Sequence, residues 1–131
     1  MTKRQRSAAI EVEVSRGADA LRSAELLIAQ SLFADSVSRA YYAALHFARA
    51  LLLLRGAEPR THAGVQRLLS LEFVRSGDLP AAMSHHLSAL EKQRSDADYT
   101  AEIVFDHEAA ALALDHARAF ITAARAVLGH E

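Results

Sequence analysis

The sequence predicts an all-α fold, an up-and-down bundle of four to five helices that forms a single domain over residues 1–131. Apolar residues make up 51% of the chain, which holds only two prolines and five glycines, and this composition is typical of helical proteins. Apolar residues recur at spacings of three and four, as they do on one face of an amphipathic helix. The only alternating run, Glu11–Val14, is too short to build a sheet.

Five helices follow from this periodicity and from the residues that start and stop helices. They are predicted over about residues 15–31, 32–55, 61–76, 80–97 and 106–128. Ser15, Thr61 and Asp106 are suitable N-caps, because their side-chain oxygens can accept a hydrogen bond from the first turn. Gly56 and Gly129 follow the second and fifth helices, and glycine commonly ends a helix. Short connections favour antiparallel neighbours, which gives the up-and-down arrangement.

Residues 1–14 are predicted to be an N-terminal extension of this domain. They either continue the first helix with a break near Gly17 or form a separate turn. The basic segment Met1–Arg6 is not followed by the apolar stretch of a signal peptide. All wholly apolar runs are far shorter than the roughly 20 residues of a membrane span. We therefore expect a cytoplasmic protein that makes no contact with a membrane.

Charge and cysteine content narrow the classes of function. The formal net charge is −1, whereas a protein that neutralises many phosphates across a broad surface is usually basic. Any contact with nucleic acid is therefore expected to be local, within a cleft. The absence of cysteine excludes disulfides, thiolate metal sites and cysteine nucleophiles. No zinc site is expected either, because the histidines are not spaced for one, and no cofactor is implied.

The segment Arg94–Tyr99 is the most informative part of the chain. The apolar line of the fourth helix runs through Leu79, Met83, Leu87 and Leu90, and the same spacing places Arg94 next. A buried guanidinium needs a partner or a wet cleft, because an unpaired buried charge is very costly. Two carboxylates, Asp96 and Asp98, and the phenol of Tyr99 follow directly. We predict that Arg94 is partly buried and paired with one of these carboxylates.

A second group of polar residues lies on one face of the second helix. Arg39, Tyr42, His46 and Arg49 are spaced by three, four and three residues, and the opposite side of this helix is apolar. These groups suit a nucleotide: arginine binds phosphate, tyrosine stacks on a base, and histidine transfers a proton. We predict that Arg39, Tyr42 and His46 of this stripe lie near Arg94.

Each of these features also has a purely structural interpretation. The arginines and the tyrosine of the second helix are compatible with long side chains that lie along a packed helix edge. Arg94 and Asp98 are four residues apart, which is also the spacing of an ordinary ion pair at a helix end. His62 follows the N-cap Thr61, so its ring either bonds locally in the first turn or joins the site.

Three motifs together resemble the HEPN superfamily, and more narrowly its small stand-alone prokaryotic members. They occupy residues 38–52, 58–65 and 94–99 in the expected order. The resemblance implies a helical bundle that dimerises, with a cleft along the dimer axis. It also implies a partner, often a minimal nucleotidyltransferase, in a toxin–antitoxin-like pair. Many members of this superfamily are metal-independent ribonucleases that use an Arg-x(4–6)-His motif.

The sequence departs from that motif at one position. Arg94 matches the arginine of the motif, but Tyr99 follows the four-residue spacer where histidine is expected. An unperturbed tyrosine is ionised in only about one molecule in a thousand at neutral pH, so it is a poor general base. The Arg-x4-Tyr form is therefore compatible with a pocket that binds without cleaving. His46 is the alternative source of an imidazole.

Three hypotheses of function remain from the sequence. The first is a nucleotide- or RNA-binding module that works with a nucleotidyltransferase, with Arg39, Tyr42, Arg49, Asp96, Asp98 and His62 as binding residues. The second is a metal-independent endoribonuclease toxin with Arg94, Tyr99 and His46 as catalytic residues. The third is a helical interaction protein without catalysis.

A homodimer is also predicted from the apolar character of the fifth helix. Its apolar residues cover a wide arc: Leu112, Ala113, Leu114, Ala117, Phe120, Ile121, Ala124 and Val127. Part of this arc is expected to face a second subunit.

Overall fold

The computed structural model describes residues 1–129, and it confirms the predicted all-α bundle. It contains the helices α1 (Lys3–Ala29), α2 (Phe33–Leu54), α3 (His62–Leu69), α4 (Ala81–Tyr99) and α5 (His107–Leu128). A short π-helical segment, Ser70–Val74, continues α3. Residues 1–129 contain no strand, and none of the helices in this range has an apolar stretch of the length that a membrane span requires.

The helix α1 begins twelve residues before the predicted start, because it has a different cap. The Thr2 side chain accepts a hydrogen bond from the backbone of Gln5, whose own side chain accepts one from the backbone of Thr2. This reciprocal pair is a capping box and satisfies two backbone donors. The prediction of Ser15 as the N-cap is therefore wrong, as are the break near Gly17 and the separate turn. The inward face of α1 runs unbroken through Ile10, Val14, Gly17, Ala20 and Ala24.

Gly17 is buried in α1 because the ring of Phe47 packs directly against its backbone. A Cβ atom at this position would lie 2.6 Å from two carbons of that ring and 3.1 Å from the carbonyl oxygen of Ala43. We predict that Gly17→Ala lowers the free energy of unfolding by about 1 to 2 kcal/mol, since overpacking outweighs the better helix propensity of alanine. Urea denaturation measures the change. The exposed Ser15→Ala in the same helix is the control, and a Gly17→Ala protein as stable as this control would contradict the prediction.

The helix α2 lies at the centre of the bundle and packs against α1, α4 and α5. Its central residues Ala43, Ala44, Phe47, Ala48 and Leu51 are completely buried. The predicted N-caps of the third and fifth helices are confirmed, since Thr61 accepts from the backbone of Gly64 and Asp106 from that of Ala109.

Most of the apolar arc of α5 is buried within the chain, so only its exposed part is open to a second subunit, and the homodimer stays a prediction. Phe120, Ala117 and Ala124 are fully buried, because α5 packs against α2, α4 and α1. Leu112, which is 50% exposed, is the large apolar side chain of that arc that stays open to solvent.

Two histidine rings stack where α4 meets α5. The ring centres of His86 and His116 are 4.7 Å apart, and Nδ1 of His116 is buried without a hydrogen-bond partner among the described residues. Burial lowers the pKa of His116 below 6.5, and the neighbouring His86 lowers it further, while Asp115 opposes the change.

This depressed pKa predicts a loss of stability in mild acid. Well above pH 6.5 the imidazole is neutral in both the folded and the unfolded state, so it makes no contribution to pH dependence there. As the pH falls below that value the unfolded chain takes up the proton first, which destabilises the fold. We expect the melting temperature of the wild type to fall more steeply than that of His116→Phe between about pH 7 and pH 5. Equal slopes would show that this ring does not contribute.

Candidate functional site

Arg94 lies on the inward face of α4, as its position on the apolar line predicts. The residue is 9% exposed, and its Nη1 atom lies 3.6 Å from Oδ2 of Asp98. The guanidinium carbon is 5.3 Å from the centre of the Tyr41 ring and 5.8 Å from that of Tyr99. Arg94 is thus a nearly buried cation between two aromatic rings, one buried and one 76% exposed.

Asp98, rather than Asp96, is the carboxylate that pairs with Arg94. Its other oxygen accepts a hydrogen bond of 2.5 Å from Oγ of Ser38, and this contact ties the end of α4 to the start of α2. Asp96 instead accepts a hydrogen bond of 3.1 Å from the exposed Lys92. Of the two predicted carboxylates, the structure brings one into the site and leaves the other in a surface ion pair.

The surroundings of Arg94 stabilise its positive charge. Burial alone lowers the pKa of Arg94, but the side chains of Tyr42, Tyr41 and Asp98 more than offset this effect, and its pKa is raised overall. The Nε atom of Arg94 is buried and has no hydrogen-bond partner among the described residues. The site therefore holds a permanent cation with an unused donor.

His62 enters the same cluster from the first turn of α3. Its Nδ1 atom lies 2.5 Å from the hydroxyl of Tyr41 and 3.5 Å from a carboxylate oxygen of Glu91, and the rings of His62 and Tyr41 stack at 5.5 Å. Burial raises the pKa of Tyr41 well above 10, and the charge of Glu91 adds to this. Tyr41 therefore stays a neutral phenol, and its oxygen can accept a hydrogen bond from Nδ1–H of His62 in the tautomer that leaves Nε2 free.

The predicted stripe on α2 divides between two places. Arg39 lies over the ring of Tyr42 at 4.9 Å, and that ring packs edge-on against Tyr41 at 5.2 Å, so both residues extend the Arg94 cluster. His46 instead forms a 2.7 Å hydrogen bond with Glu13 of α1, and the structure does not bring it to Arg94. Arg49 lines a cleft beside the connection between α2 and α3, and its charge acts to lower the pKa of Tyr41 against the larger effect of burial.

Three residues of the cluster were missed by sequence reasoning: Tyr41, Ser38 and Glu91. Tyr41 falls on the apolar side of α2, and a phenol at such a position is a signal for a buried polar contact. Glu91, Arg94 and Asp98 are spaced by three and four residues, so they share one face of α4. Within residues 1–129, no three histidine, aspartate or glutamate side chains converge as a metal site would require.

Comparison with known proteins identifies the family to which this chain belongs. A family model described as HEPN domain matches residues 10–127, so the chain belongs to the HEPN domain family. A crystal structure of TT1696 from Thermus thermophilus matches the fold with a TM-score of 0.78 and 19% identity, over 90% of this chain and 97% of that one.

Two similar proteins come from archaea. UPF0332 protein PH1297 of Pyrococcus horikoshii is 42% identical over 79 residues, which are 60% of this chain and 56% of that protein. "Putative toxin MJ0605" of Methanocaldococcus jannaschii is 37% identical over 89 residues, 68% of this chain and 66% of that protein. The matched regions thus span less than two thirds of the length of either relative.

Proposed function

We propose that this chain is a nucleotide- or RNA-binding HEPN module and one component of a toxin–antitoxin-like pair with a nucleotidyltransferase. The observation that carries the proposal is the nearly buried Arg94, which has an unused Nε donor and lies beside the exposed ring of Tyr99. Arginine binds phosphate through its planar fork, and an exposed aromatic ring stacks on a base.

The remaining parts of the proposal rest on the family. The name of the Methanocaldococcus relative supports a toxin–antitoxin role. We further propose that the module acts as a cytoplasmic homodimer, as the HEPN resemblance implies. Light scattering at micromolar concentration tests the dimer, and co-purification with a nucleotidyltransferase encoded beside it tests the pair.

Direct titration tests the binding function. Labelled short single-stranded RNA is titrated with the wild-type protein in EDTA, and fluorescence anisotropy is measured over a range of salt concentrations. We expect a Kd on the order of 10 μM at physiological salt, within the range of sequence-independent binding. Failure of both RNA and free nucleotides to bind at millimolar protein would overturn the proposal and favour a helical interaction protein.

The second candidate function is metal-independent RNA cleavage, and the position of His62 favours it. The imidazole of His62 lies in the Arg94 cluster, whereas the Arg-x4-Tyr motif supplies Tyr99 in place of a histidine. In such a reaction the RNA 2′-oxygen attacks the adjacent phosphorus and the 5′-oxygen leaves. A base takes the 2′-hydroxyl proton, an acid protonates the leaving oxygen, and a cation stabilises the phosphorane. Arg94 would be that cation, and His62 would be the base through Nε2, in the tautomer whose Nδ1–H donates to the oxygen of Tyr41.

A further inference from the structure

A second cleft opens away from the Arg94 cluster, between α1, the end of α2 and the connection that leads to α3. It has a volume of about 540 Å³, within the range of small-ligand sites. Its walls are formed by Glu13, Arg49, Leu53, Ala57, Glu58, Pro59 and Arg60. The cleft is thus lined by two guanidinium groups, two carboxylates and a short apolar wall.

Arg49 brings to this cleft a side-chain donor that makes no hydrogen bond among the described residues. Its Nε atom is buried and makes no hydrogen bond among the described residues. The carboxylate that α1 contributes to the lining, Glu13, is already bonded to His46 at 2.7 Å. A buried donor without an acceptor costs free energy, so the guanidinium of Arg49, which lines the cleft, would be stabilised by an anion bound there. Arg60 is exposed at the same cleft and can add a second donor fork.

We propose that this cleft binds one nucleotide unit, with its phosphate on Arg49 and Arg60. The apolar wall of Leu53, Ala57 and Pro59 offers a surface for the base or the ribose. Carboxylates accept hydrogen bonds from ribose hydroxyls and from exocyclic amines, which gives Glu58 a role that a bare phosphate site would not have. The mixed lining therefore favours a nucleoside phosphate over inorganic phosphate.

The cleft lies about two helical turns along α2 from the Arg94 cluster. Arg49 lies seven residues beyond Tyr42 on the same face of α2, a rise of about 10 Å. The two places can therefore contact different nucleotides of one RNA strand. The inference rests on the proposed function in this respect, since it makes the cleft a second subsite for the same ligand.

The test compares Arg49→Met and Arg60→Met with Arg75→Met, which removes the same charge from an exposed position outside the cleft. We expect Arg49→Met to weaken binding of short single-stranded RNA about tenfold, as loss of a charge-assisted hydrogen bond does. The slope of log K against log salt should fall by about 0.7, the value for one phosphate contact on a single strand. Arg60→Met should show a smaller effect in the same direction, and Arg75→Met should bind as the wild type does.

A parallel titration with 5′-AMP and with adenosine, which lacks the phosphate, tests whether the cleft binds the phosphate group. Binding of 5′-AMP that is lost in Arg49→Met, together with weaker binding of adenosine, supports the subsite even if RNA does not bind. If the wild type binds RNA and both cleft variants bind it equally well, the inference fails while the proposed function stands. If neither RNA nor 5′-AMP binds to the wild type, both are overturned.

Discussion

Replacing Arg94 with methionine is expected to weaken RNA binding at least about tenfold, as loss of a charge-assisted contact does, while the fold stays intact. The guanidinium is the cation of the cluster, and methionine keeps only its apolar stem. The measurement is anisotropy with labelled single-stranded RNA, combined with a thermal melt of the same protein.

The loss of stability should be small because Asp98, the partner of Arg94, keeps another partner when Arg94 is replaced. Breaking a fully buried ion pair costs about 3–5 kcal/mol, since it leaves a buried charge unpaired. Asp98, however, retains the hydrogen bond from Ser38, and its side chain is 34% exposed. Loss of the cation–π contacts costs about 2 kcal/mol at the buried ring of Tyr41 and about 0.5 kcal/mol at the exposed ring of Tyr99. Methionine keeps the apolar stem and removes the cost of burying a cation, so we expect the free energy of unfolding to fall by less than about 3 kcal/mol, the lower limit for a broken buried pair.

The same helix provides a matched control. Lys92 and Asp96 form an ion pair with the spacing of Arg94 and Asp98, but the Lys92 side chain is 79% exposed. Lys92→Met removes one positive charge from α4 without touching the cluster, and it should leave RNA binding nearly unchanged. A large fall in melting temperature for Arg94→Met with unchanged RNA binding would show that Arg94 is structural.

Features set within one helix were predictable from the sequence. The burial of Arg94 followed from its place on the apolar line of α4, and its partner Asp98 is one of the two carboxylates that the sequence offered. The start of α1 could not be predicted from the sequence, because Thr2 and Ser15 are both good N-caps. The choice between them depends on whether Ile10 and Val14 find a surface to bury against, which α2 provides.

Contacts between helices could not be derived in this way. Ser38 and Asp98 are 60 residues apart, and Tyr41 and His62 are 21 apart. Periodicity assigns a residue to a face of its own helix but does not say which residue of another helix meets it. His46 shows the limit well, since it shares a face with Tyr42 but bonds to Glu13 on α1.

His62 is the residue on which any RNA cleavage by this protein is expected to depend. Replacing it with glutamine should lower the cleavage rate by about 10²- to 10⁴-fold, the contribution of a general base, and should leave RNA affinity nearly unchanged. Incubation of RNA with the protein in EDTA measures the rate, and a 2′,3′-cyclic phosphate on the product identifies attack by the 2′-oxygen. His85→Gln, at an exposed position of α4, is the control.

The outcome also separates the two candidate functions. Tyr41→Phe removes the hydroxyl that bonds to Nδ1 of His62 but keeps the stacked ring, so it should alter the pH profile of cleavage more than RNA affinity. Cleavage that persists in His62→Gln would exclude this imidazole as the base. RNA that stays intact with the wild type but binds through Arg94 would assign the cluster to binding alone. The Arg-x4-Tyr form would then retain the phosphate contact of the ribonuclease motif without a base to use it.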